Sequence, residues 1–317
     1  MKGLDLARDY YIQCGRPMIQ EKFESYASRI TVGLCGEGSE CFGFDDEISK
    51  DHDFGPAFCM WLDREVMEKT GERLIAEYEA LPAFFGGMPA RRDSRMSGHR
   101  IGVWESGAFY RHFLGSPEGP QTLIEWLNLP DSYLAVAVNG EIFQEGSGSF
   151  LEVRNRLKAG HPEDVRIKKM AARAANMSQA GQYNLPRSLK RGETVAAGLA
   201  LAEFVRHGMG MIYLLNHRYA PFYKWLYRGL ENMEILGETR GLFANLMDGN
   251  AGETDRPAAA VWEEKLELVE QLCSLVSAEW QRQGLIRHTD PFLQNSLEEL
   301  MKQIKDPQLA SLPWLYG

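Results

Sequence analysis

Asp51 and Asp53 stand two positions apart, and a Gly38-Ser39 pair precedes Asp51 with eleven residues between. If Asp51 to Phe54 is a strand, its period of two turns both carboxylates to one face and His52 to the other. At a rise of roughly 3.3 Å per residue their Cα atoms lie about 6.5 Å apart. Carboxylates at that spacing can share one or two divalent cations, and hard oxygen donors suit Mg2+. Upstream, Gly38-Ser39 offers a turn whose N–H groups and hydroxyl can meet a phosphate. A Gly-Ser turn feeding an Asp-x-Asp strand suits metal-assisted phosphoryl or nucleotidyl transfer.

Blander readings apply to the same residues. Asp51 and Asp53 can be solvent-facing positions of an edge strand, or part of an acidic turn that begins at Asp45-Asp46-Glu47. An EF-hand fails, because its sixth position is Lys50 rather than Gly and its twelfth is Pro56 rather than Glu. A dinucleotide or P-loop fingerprint fails too: Cys41 replaces the third glycine after Gly36 and Gly38, and no Gly-Lys-Ser/Thr follows.

Gly38-Ser39 followed by Asp51-His52-Asp53 resembles the Gly-Ser…Asp-x-Asp signature of the nucleotidyltransferase superfamily, which includes DNA polymerase beta and the aminoglycoside nucleotidyltransferases. The run Gly36 to Leu62, with Gln182-Tyr183-Asn184 and Pro221-Phe222-Tyr223-Lys224-Trp225, more closely resembles bacterial proteins of domain-of-unknown-function family 4037. The resemblance implies an α+β fold, with a small mixed β-sheet flanked by helices and then an all-α bundle closing over the cleft. It implies transfer of a nucleoside monophosphate from an NTP, ATP by default, to a hydroxyl-bearing acceptor. Gly38 and Ser39 would then hold the β- and γ-phosphates, and Asp51 and Asp53 would hold Mg2+.

Such a site needs a third acid on a neighbouring strand, to complete the metal clamp or to take the acceptor's proton. Glu105 is the candidate, since the strand Arg100–Glu105 ends in it; Glu141 and Glu145 are alternatives, and Glu105 can equally open the helix that follows. Where the superfamily would place an acid one position earlier, this chain has Gly102. Cations could neutralise the triphosphate: Arg166, Lys169 and Arg173 share one helix face, and Lys224 lies among aromatics able to stack a base. A solvated basic face and an aromatic core are the competing readings. The histidines lack metal-ligand spacing.

The elements that must position these residues follow from pattern. Asp5–Glu24 reads as helix interrupted at Gly15-Arg16-Pro17. Strands are expected at Arg29–Cys35 and His52–Leu62, then a helix over Arg64–Ala80 capped by Asp63. Pro82–Pro89 reads as a loop able to act as a lid. Asn139-Gly140, between Tyr133–Val138 and Glu141–Gln144, is the strongest hairpin signal. After Gly146-Ser147-Gly148 every segment has helical spacing, so a catalytic domain over residues 1–148 and a helical domain over 149–317 are expected.

Composition narrows the partners. Of 317 residues, 44% are hydrophobic and 25% charged, as in globular proteins. A net charge of −9 supplies few of the phosphate contacts that nucleic-acid binding needs. A nucleotide with a small-molecule or protein acceptor is therefore expected ahead of nucleic acid, although addition of nucleotides to RNA ends stays an alternative. So does a non-catalytic nucleotide-binding regulatory module. No run of eighteen apolar residues suggests a membrane span, the first residues lack a signal core, and five irregularly spaced cysteines suit a reducing cytoplasm.

Overall fold

The computed structural model describes residues 2–51, 54–92, 98–248 and 258–317. They form an α+β protein with a small mixed sheet, as the sequence suggests, in two compact units. The first takes in residues up to Gln121 and Leu129–Gly160; the second, Thr122–Asn128 and His161–Gly317.

The first unit opens with helices α1 (Gly3–Tyr10) and α2 (Arg16–Lys22), which run on through a π-helical stretch, Tyr11–Gly15. The expected interruption at Pro17 is thus absent. The wider π turn removes the α-type bond that proline would have broken. Strands β1 (Thr31–Leu34) and β2 (Cys59–Leu62) are followed by helix α3 (Arg64–Glu79). A small hairpin, β3 (Phe84–Phe85) and β4 (Met88–Pro89), takes the place of the expected open loop. Strand β5 (Gly102–Glu105) leads into α4 (Ser106–Leu114); α5 (Leu123–Asn128) belongs to the second unit, and α6 (Asp131–Val138), β6 (Glu141–Gln144) and α7 (Ser149–Lys158) return to the first.

The sheet order is β5-β2-β1-β6. β1 runs antiparallel to β2 and β6, and β5 lies parallel to β2. Period-two alternation explains why all four β2 residues are buried. Met60 and Leu62 join the core with Tyr10, Ile19, Val66 and Leu74. Trp61 points the other way and stacks on Phe150 of α7, with ring centroids 4.0 Å apart.

The hairpin expected around Asn139-Gly140 does not form. Tyr133–Val138 lies within helix α6, and β6 pairs with β1 more than a hundred residues upstream. A short Val/Ala-rich run has no decisive period, and here tertiary packing chose helix. Asp63 stands at the N-cap position of α3, but its side chain does not cap that helix. Its Oδ1 instead accepts from the N–H (2.9 Å) and hydroxyl (2.6 Å) of Ser149, so it caps the start of α7.

In the second unit α8 (Glu163–Met177) passes through a second π-helical stretch, Ser178–Asn184, into α9 (Leu185–Lys190). Again a proline, Pro186, follows directly. The long helix α10 (Thr194–Leu215) packs against α8 and α9, and α11 (Tyr223–Leu226), α12 (Arg240–Met247) and α13 (Ala258–Arg282) complete the main helices. Among the described residues this unit has no strand. By length and composition α10 could cross a membrane, yet Leu201, Phe204, Met211 and Leu215 along it are buried in the helical core.

Candidate functional site

The loop that leaves β1 is held at several points. Gly36 sits against the side chain of Asn139, which accepts from its N–H at 3.0 Å and donates to its carbonyl at 2.7 Å. Gly140 donates its N–H to the Cys41 carbonyl at 2.8 Å. With φ of +66°, and with the Leu34 carbonyl where a Cβ would go, that position admits only glycine. The buried Arg154 donates to the Asn139 carbonyl at 2.7 Å and to Cys35 Sγ at 3.3 Å. The Asn-Gly pair therefore acts as a clasp on the Gly36 loop, a role the hairpin reading missed.

Below Gly38 lies Glu40, buried and ion-paired with Arg91 at 2.9 Å. A side chain on Gly38 would collide with that carboxylate. Glu37 pairs with Arg100 at 3.3 Å. Cys35 and Cys41 are buried, and burial raises both thiols above the ordinary range, so they stay protonated. Within this clamped frame the N–H groups of Glu37, Gly38 and Ser39, and the Ser39 hydroxyl, make no hydrogen bond among the described residues. Consecutive uncommitted N–H groups in a tight turn are a favourable place for an anion.

Asp51 does not lie in a strand. It closes a single 3-10 turn, Ile48–Asp51, and β2 begins only at Cys59. Asp46 caps that turn, its Oδ1 accepting from the N–H groups of Ile48 and Ser49, both at 3.1 Å. Four bonded residues sufficed for the strand, because Gly55 and Pro56 interrupt the extended pattern upstream. The side chain of Asp51, and His52 and Asp53 altogether, lie outside the described residues. Among the described residues no group of three or more His, Cys, Asp or Glu side chains converges as a metal site.

Glu105 is not brought to the Gly38-Ser39 turn. The register pairs it with Leu62 at the far end of β2, whereas Gly33 of β1 and Gly102 of β5 flank Cys59 at the near end. Three strand steps separate the two ends, about 10 Å. Glu105 instead caps α4, accepting from the Gly107 N–H at 2.8 Å. At the near end β5 offers Gly102, which has no side chain. Of the two alternative acids, Glu141 stands opposite Leu34 beside the loop, but it is ion-paired with Arg8. Glu145 follows the far end of β6.

The cations belong to the second unit. Arg166 is buried and spends its guanidinium on Glu163, on the Leu214 carbonyl (3.3 Å) and on Gln283 (3.3 Å). Lys169 is buried on the same helix. Lys168, which sequence reasoning did not single out, donates to the carbonyls of Pro313, Trp314 and Tyr316, and burial brings its pKa down to about 8. Lys224 is exposed, its ammonium 5.5 Å from the Trp225 ring centre. Gln182 bridges Glu270 and the Pro291 carbonyl.

The fold and the clamped turn define a class: an α+β protein whose first strand runs into a clamped, glycine-rich loop with N–H groups uncommitted among the described residues. Residues 126–226 match the model of a family described as domain of unknown function (DUF4037), so the resemblance read from the sequence is found. That segment includes the Asn139-Gly140 clasp, Arg154, Gln182 and Lys224. Among solved structures, one described as a nucleotidyltransferase-like protein from Exiguobacterium sibiricum covers 92% of this chain and 89% of its own, at 10% identity and a TM-score of 0.38. A likeness this loose adds nothing to the argument from the loop itself. No curated protein matches.

Proposed function

We propose that the chain is a cytoplasmic, Mg2+-dependent nucleotidyltransferase that moves a nucleoside monophosphate from an NTP, ATP by default, to a hydroxyl of a small-molecule or protein acceptor. The observation that carries this reading is the turn Glu37–Ser39. Among the described residues its three N–H groups and the Ser39 hydroxyl are uncommitted, while Asn139, Gly140 and the Glu40–Arg91 pair hold the loop on either side of them. In the transfer the acceptor oxygen attacks the α-phosphorus, the bond to the β-phosphate breaks, and pyrophosphate leaves. The turn would hold the β- and γ-phosphates and keep the leaving group in line.

The acids beside the turn, Glu37 and Glu40, are each held by an arginine. Mg2+ would therefore rest on Asp51 and Asp53, whose oxygen donors suit it. Bound there, it would neutralise charge on the phosphates. Arg166 and Lys169 are buried within their own unit, Arg166 committed to Glu163 and Gln283, so of the three cations the exposed Lys224 keeps the proposed part as a phosphate or acceptor contact.

One observation favours a second reading, a nucleotide-binding module without turnover: the position of β5 nearest the turn is Gly102, not an acid. Pyrophosphate release with Mg2+ and each NTP separates the two. Release that disappears in Asp51→Ala and Asp53→Ala supports the enzyme. Nucleotide binding that weakens in Ser39→Ala, with no release from any acceptor, supports the module.

A further inference from the structure

The first unit contains a cleft of about 470 Å3 between α3, the flank of the β3–β4 hairpin and the start of β5. That volume falls in the range of small-molecule sites. Tyr10 and Tyr78 both line it. Their hydroxyls are already engaged: Tyr10 donates to the Pro82 carbonyl at 2.9 Å, and Tyr78 accepts from the Phe58 N–H at 3.3 Å. The rings, with Ile101 beside them, therefore supply the apolar wall.

Two charges at the cleft are unspent. Arg91 is tied to Glu40. Its neighbour Arg92 is exposed and forms no ion pair among the described residues, and the same holds for Glu79, which lines the cleft from the last residue of α3. Two opposite charges on one cleft that do not neutralise each other are complementary to a ligand bearing both signs. An anion alone would face Glu79, and a cation alone would face Arg92.

We propose that this cleft binds a small zwitterion with a flat apolar body, of the size and chemistry of an aromatic amino acid. Its acid group meets Arg92, its ammonium meets Glu79, and its ring lies against Tyr10 and Tyr78. None of Glu37–Ser39 lines the cleft, which shares Arg91 with the frame of that turn, and the proposal does not depend on nucleotide transfer.

Calorimetric titration with L-tryptophan, indole-3-propionate and tryptamine tests it. Tryptophan is expected to bind at least tenfold more tightly than either singly charged probe. Arg92→Ala removes its advantage over tryptamine, Glu79→Gln removes its advantage over indole-3-propionate, and Ala83→Trp, at an exposed position of the cleft lining, abolishes binding of all three. Arg92 and Glu79 are surface residues, so unchanged thermal melts verify that these variants fold. Three equal affinities, affinities untouched by the charge variants, or no tryptophan binding at millimolar concentration overturn the proposal.

Discussion

Asn139 holds Gly36 by both faces of its peptide chemistry, accepting from its N–H and donating to its carbonyl across 103 residues of sequence. A carboxamide is the one common side chain able to imitate a strand partner in this way. Asn139→Ala leaves both Gly36 groups without their partner and should cost about 1–3 kcal/mol. Asn139→Asp keeps the acceptor and loses the donor, so it should fall between. Urea denaturation measures the loss. ATP titration should show weaker binding in the same order, and an Ala variant as stable as the parent would count against the clasp.

Asp63 and Ser149 form the second long-range cap. Asp63→Ala and Ser149→Ala should each destabilise by about 1 kcal/mol, the usual worth of a helix cap. Because one interaction is lost in both, the double variant should cost less than the sum of the singles. Strict additivity would show that the two residues act separately.

Gly38 and Glu40 should be coupled sterically. Gly38→Ala drives a methyl into a carboxylate that Arg91 will not release, since breaking a buried ion pair costs about 3–5 kcal/mol. The substitution should destabilise the parent clearly. It should be much milder in a Glu40→Ala background, where the obstacle is gone; an equal penalty in both backgrounds would place the strain elsewhere.

His207 provides a pH dependence. It is largely buried, and burial with the charges of Arg173 and Arg206 lowers its pKa to about 4. Between the unfolded value of about 6.5 and this value, the unfolded chain binds the proton and the folded chain does not. Stability from this group is therefore complete above pH 6.5 and declines as the pH falls towards 4, by at most about 1.4 kcal/mol per pH unit. Acid titrations of the parent and His207→Leu should diverge over that window alone. Parallel curves would refute the shift.

Glu105 should prove structural. Glu105→Gln is expected to lose roughly 1 kcal/mol through the weakened cap of α4. Any pyrophosphate release that Asp51→Ala abolishes should persist in it. Loss of release in a folded Glu105→Gln protein would return the third acid to β5.

The sequence made some of this legible and hid the rest for physical reasons. β1, α3, β5 and the helical second half follow from local period, and the Gly38-Ser39 turn follows from residue type. The purpose of Asn139-Gly140 was not legible, because its partner Gly36 is distant and the local signal for a hairpin is strong. Asp63 misled in the same way: it stands where α3 needs a cap, and Ser149 claims it from α7. Glu105 was placed correctly at a strand end, but only the pairing register shows which end of the sheet that is. The π turns before Pro17 and Pro186 show that proline inside a helical pattern can mark a widened turn rather than a stop.

The clasp also sets a schedule. At a synthesis rate of about 5–20 residues per second, the 103 residues between Gly36 and Asn139 take roughly 5–20 s to be made. Throughout that interval the glycine-rich loop has emerged without the side chain that shapes it, and β1 lacks its outer edge partner. The loop is thus among the first parts of the first unit to leave the ribosome and among the last to be finished. A nascent chain halted before Asn139 would display the loop's residues without their clasp.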